Sequence, residues 1–146
     1  MSPDHALDSP VETRTFDVTA RDLGLIDDWI EGVGARWQAS ERILFGARLC
    51  VAELAANVLE HGVLMSGPDR ITVTLRRCPD GIGVEFVDSR KPFDPTCHVP
   101  AETATSIESL EPGGRGLRLL HAYAADLGYR NDGTCNRITF KVRSKV

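Results

Sequence analysis

No run of Lys or Arg in this sequence is longer than two, and the formal net charge is −4. Nucleic-acid surfaces neutralise phosphates with clustered cations, so no direct nucleic-acid partner is expected. Long apolar runs are missing as well. None approaches the ~20 residues a helix needs to cross a bilayer, so no membrane contact is expected. The start of the chain lacks the basic-then-apolar pattern of a signal peptide, and the expected location is the cytoplasm. Cysteine is sparse and scattered: Cys50, Cys78, Cys97 and Cys135 form no CxxC pair or zinc-type ligand set and read as reduced thiols. The adjacent Cys97-His98 suits a single metal badly. The GxxxxGK[ST] phosphate loop is absent, and no third glycine completes a dinucleotide fingerprint. His61, His98 and His121 fall in no triad pattern, and Ser89 and Ser106 lack a nucleophile-elbow context.

What remains is an ordinary globular chain of 146 residues, 42% hydrophobic and 26% charged, enough for one domain with a real core. Residues 1–12, with Pro3 and Pro10, read as a flexible lead-in, and 13–146 as the single domain. Thr13 to Thr19 is β-rich and short, an expected edge strand. Thr19 resembles a helix cap with Asp22 as a weak capping box, and Leu23, Ile26, Ile30, Val33 and Trp37 follow at helical spacing. Gly32 and Gly34 weaken the last turns. Ser40 then caps a second helix that Gly62 ends. That helix is apolar around much of its circumference and should be central.

Ile71, Val73 and Leu75 alternate, as do Ile82, Val84 and Phe86, with Pro79-Asp80-Gly81 between them, which predicts a β-hairpin. Residues 89–114 predict a long loop, with a short helix near 103–110. A loop of that length is often a functional lid. Arg115 to Leu127 predicts a third helix, stopped by Gly128, and 129–131 with 136–142 predicts a closing hairpin around Asp132-Gly133. Paired strands separated by helices point to α+β, a mixed, mostly antiparallel sheet with helices on one face.

Three features can carry chemistry. Glu53 and Asn57 are four apart and share one helix face. The Asn oxygen suits Mg²⁺ and the Glu can act as a base, while an exposed polar stripe continued by Glu60 and His61 explains the pair equally well. Asp88 shares the parity of Ile82, Val84 and Phe86, so its carboxylate points to the buried face as an acceptor for an exocyclic amine such as adenine's. Taken alone, it reads more simply as a strand-end turn residue. Gly113-Gly114-Arg115-Gly116 opens the third helix, where backbone N–H groups and the helix N-terminus favour an anion and Arg115 can reach a phosphate. A hinge before a helix would look the same.

The stretches CVAELAANVLEHG, GVEFVDSRKPFDP, GGRGLRLLHAYAADLGY and NRITFKV, in that order, resemble the anti-sigma regulatory factors. These are the serine-protein kinases of bacterial partner switching, within the GHKL ATPase superfamily. The resemblance covers roughly residues 14–143. It implies the Bergerat fold, a two-layer α/β sandwich with an ATP lid over residues 89–112. It implies that Asn57 binds Mg²⁺, that Glu53 assists phosphoryl transfer, and that Asp88 recognises the adenine amine. Gly113, Gly114, Arg115, Gly116 and Leu117 then form the glycine box that closes on the phosphates. The implied activity is Mg-ATP-dependent phosphorylation of a Ser or Thr on a STAS-type anti-anti-sigma partner. A sigma factor or other regulator is the implied second partner, and a homodimer is compatible with the family. One departure stands out: Asp88-Ser89-Arg90 replaces the superfamily's Asp-x-Gly. It keeps open the alternative of a degenerate, non-catalytic module that sequesters a partner.

Overall fold

The computed structural model describes residues 9–64, 67–96 and 114–144. Thr19 starts the first helix as expected: its Oγ1 accepts from the Asp22 backbone N–H at 3.1 Å. The capping box is only half formed, because the Asp22 carboxylate accepts from the Asp17 N–H rather than from Thr19. Strand β1 (Val11–Asp17) precedes α1 (Ala20–Arg36). Ser40 caps α2 (Glu41–His61), its hydroxyl accepting from the Ile43 N–H at 3.3 Å, and Gly62 closes it by donating to the Asn57 and Val58 carbonyls. Strands β2 (Arg70–Cys78) and β3 (Gly81–Asp88) form the expected hairpin. Helix α3 (Gly114–Tyr123) leads into β4 (Ala125–Asn131) and β5 (Asn136–Arg143).

The third helix is shorter than its spacing predicts. It stops at Tyr123, and Leu127 and Gly128 belong to β4. Asp126 takes a positive φ of 55° and the β4–β5 register shifts between Ala125 and Gly128. This bulge carries Leu127 against the core from a strand, so a periodicity that looks helical is satisfied by extended chain. The β4–β5 turn falls where expected, with Gly133 at φ 98° and the Asp132 carboxylate accepting from the Thr134 and Cys135 N–H groups.

Among the described residues five strands lie in the order β1-β2-β3-β5-β4, and every pairing is antiparallel, so no parallel pair makes the sheet mixed there. One face is apolar: Ile71, Val73, Leu75, Ile82, Val84, Phe86, Ile138, Phe140 and Val142 are all buried there. Helix α2 packs over β3 and β5, with α1 and α3 against it. The other face carries exposed hydroxyl pairs, Thr13 with Thr74 and Thr15 with Thr72. Gly34 on α1 lies close against Leu44 on α2. A Cβ on Gly34 would lie 2.5 Å from Leu44 Cδ1, so a larger residue would force that leucine to shift. Arg48 on α2 adds a bidentate bridge to Asp27 on α1, at 2.9 and 2.6 Å.

Candidate functional site

Helix α2 crosses the apolar face with its C-terminal turns over the ends of β3 and β5. That placement leaves a cavity of about 310 Å³ between α2, β3, β5 and residues 90–93. Its volume is at the small end of ligand pockets. Leu54, Val58, Phe86 and Ile138 supply apolar walls, while Asn57 and Asp88 supply polar groups. Two residues 31 positions apart in sequence, both expected at a nucleotide site, therefore face one space. Glu53 sits one turn before Asn57, half-buried, and is not among the residues lining that cavity.

Asp88 points inward as its strand parity requires and is only 4% exposed. Burial pushes its carboxyl above the usual carboxylate range, against the opposing effect of two hydrogen bonds, from Asn136 and from the Arg90 backbone. Both land on Oδ1, at 3.1 and 2.9 Å.

The register fixes Asn136 directly across the ladder from Asp88. It is 2% exposed, and both ends of its amide are used. Nδ2 faces acceptors alone: Asp88 Oδ1, the Arg90 carbonyl and the Lys91 carbonyl. Oδ1 accepts from the Tyr129 hydroxyl at 2.6 Å, from Asn131 Nδ2 and from the Phe93 N–H. The amide can sit only one way round, because Nδ2 has no lone pair to offer and carbonyls have no proton. Asn136 thus ties β3, β4, β5 and the 90–93 segment together behind Asp88.

Sequence reasoning missed Arg90 except as a departure from Asp-x-Gly. Its side chain is 14% exposed and grips Asp69 with Nε and Nη2, while Nη1 donates to the Gly62 carbonyl at 2.6 Å. Its backbone does not need glycine: the non-glycine residues with positive φ among those described are Gln38 and Asp126. A signal was available in the paired charges of Asp69 and Arg90 flanking the hairpin, but nothing local in the sequence joins them.

Gly114, Arg115, Gly116 and Leu117 form the first turn of α3, so the glycine box does open a helix. Gly113 and residues 97–112, the larger part of the expected lid with its short helix and Cys97, lie outside the described residues. Cys50 is buried in the core as expected, and Cys78 and Cys135 are free thiols. His121 lies on α3 with Nε2 within hydrogen-bond distance of the Pro95 carbonyl, a packing role and not a triad.

Helices layered on one face of an antiparallel sheet, with a cavity under α2, form a two-layer α/β sandwich. The family of histidine kinase-like ATPase domains matches residues 16–142, and the chain belongs to it. Among curated proteins it is similar to the serine/threonine-protein kinase BtrW of Bordetella bronchiseptica, at 28% identity over 138 residues, covering 94% of this chain and 97% of that one. Among solved structures it is similar to the RsbU and RsbW domains of a Mycobacterium tuberculosis protein, with TM-score 0.64 and 15% identity. That match covers 92% of this chain and 32% of the solved one, so this chain spans about a third of that protein's length. The resemblance to anti-sigma-type kinases is thus borne out in family and fold.

Proposed function

We propose that the chain is an anti-sigma-factor-type serine/threonine kinase that binds Mg-ATP and phosphorylates a STAS-type anti-anti-sigma partner, regulating transcription through a sigma factor or other regulator. The observation that carries this is the convergence of Asn57 and Asp88 on one cavity, with apolar walls between them. Asp88 has its Oδ1 occupied by Asn136 and Arg90, which leaves Oδ2 as acceptor for the exocyclic amine of adenine. Phe86, Ile138 and Val58 give the base apolar walls to rest against.

The donors fit magnesium. Mg²⁺ favours one or two protein oxygens completed by phosphates and water, and a carboxamide oxygen on a helix facing the cavity is such a ligand. Asn57 would hold it. Bound there, the ion supplies charge neutralisation at the phosphates. The chain's own residues do the rest. The N-terminus of α3 and Arg115 close on the phosphate oxygens. Glu53 accepts the proton of the acceptor hydroxyl as its oxygen bonds to the γ-phosphorus and ADP departs. Such transfer is mostly positioning and electrostatics.

The test is phosphate transfer from labelled ATP to a STAS-domain partner. Asn57→Ala should lower the rate at least ~100-fold with folding intact. A wild-type rate in that variant overturns the assignment. The rival reading, a degenerate sequestering module, drew its support from Ser89-Arg90. Arg90 keeps negative φ and still donates its N–H to Asp88, so that support is weak.

A further inference from the structure

We infer that Arg90 is a positioning residue for the nucleotide site: its guanidinium holds the Asp88 strand end at a fixed distance from the helix that carries Asn57. The inference rests on the ATP-site reading above.

The connection is continuous. The Asn57 backbone carbonyl accepts from the Gly62 N–H at 3.2 Å. The Gly62 carbonyl accepts from Arg90 Nη1 at 2.6 Å. The Arg90 N–H then donates to Asp88 Oδ1 at 2.9 Å. Three hydrogen bonds therefore run from the backbone of one polar wall of the cavity to the side chain of the other. Two further backbone links run parallel to them: Lys91 N–H donates to the Val63 carbonyl at 2.6 Å, and Leu64 pairs with Arg90 as an antiparallel bridge. Asp69, just ahead of β2, fixes the guanidinium from the other side through Nε at 2.8 Å and Nη2.

Only arginine can do this. The fork to Asp69 uses two N–H groups and the bond to Gly62 uses a third, all in one plane, whereas a lysine ammonium is a point donor that cannot span both. Gly62 is part of the fit. A Cβ there would lie 2.9 Å from Arg90 Cγ and 2.6 Å from the Val58 carbonyl, so a side chain at 62 would push the arginine away.

The experiment is steady-state transfer kinetics and calorimetric Mg-ATP binding on the full chain. Wild type is compared with Arg90→Lys, Arg90→Ala and Asp69→Asn, each with its thermal midpoint. A positioning role predicts that Arg90→Lys, folded, raises Kd and KM for ATP about tenfold with kcat within about twofold. Asp69→Asn should move them in the same direction and add little on top of Arg90→Lys, because both break one linkage. A folded Arg90→Lys with wild-type Kd and KM overturns the inference, even if its midpoint falls. If Arg90→Ala does not fold, Arg90→Lys alone decides. Absence of Mg-ATP binding by the wild type would instead sink the site reading itself, which separates the two failures.

Discussion

Asn136 stands directly opposite Asp88 in the β3–β5 ladder, and its Nδ2 donates to Asp88 Oδ1 at 3.1 Å. One carboxylate oxygen is thereby committed to the protein, in a pocket where the carboxyl is buried and its pKa raised. An acidic group kept at that cost to folding, facing a cavity, is a candidate for a ligand site.

Replacing Asp88 by Asn keeps the shape and removes the charge. Nucleotide affinity should fall about 10- to 100-fold, the worth of one charge-assisted hydrogen bond. Stability at pH 7 should stay level or rise, because the burial of the charge is relieved. Titration calorimetry and a urea midpoint on the same preparation check both halves.

The pH dependence follows from the sign of that shift. In the unfolded chain Asp88 titrates near 3.8, and in the folded chain higher. Between those values the folded state keeps a proton that the unfolded chain has lost, so Asp88's contribution to stability falls as pH rises through that window. Asp88→Asn should remove this component from the stability–pH curve. Parallel curves for the two proteins between pH 3.5 and ~7 would contradict it.

Asp27 behaves oppositely. The hydrogen bonds from Arg48 hold its carboxyl below the usual value of 3.8. Its contribution is present above 3.8 and disappears as pH falls through the lower, folded value. The pair is more than a third exposed on the Asp27 side, so Asp27→Asn should cost under ~1 kcal/mol at pH 7 and less at pH 2. Denaturant midpoints at the two pH values measure the difference.

Gly34 predicts a steric effect. Gly34→Ala should destabilise by at most about 1 kcal/mol: the new Cβ would lie 2.5 Å from Leu44 Cδ1, a side-chain end that can turn away, and alanine favours a helix interior by about 1 kcal/mol over glycine. Leu44→Ala should recover part of that loss in the double variant, giving a coupled cycle. Strict additivity of the two thermal shifts would show that the clash is not the cause.

The strand parity of Ile71 to Phe86 and the caps at Thr19, Ser40 and Gly62 were legible because each is local: alternation of two, or a side chain three residues from its partner. The inward direction of Asp88 was legible for the same reason. The end of α3 was not, because Leu127 reaches the core from either a helix or a bulged strand, and only the positive φ at Asp126 decides. The role of Asn136 depended on a register between strands 48 residues apart, which no local pattern encodes. Arg90 looked like a defect when compared with a glycine, and its partners Asp69 and Gly62 belong to other segments.

Asn57 and Asp88 line one cavity, which we propose is a Mg-ATP site. Its most direct measurement is calorimetric titration of the full chain with Mg-ATP, beside Asp88→Asn. Saturable one-to-one binding by the wild type, weakened at least tenfold in the variant, is expected. No heat at millimolar Mg-ATP, or equal affinity in the two proteins, would contradict it.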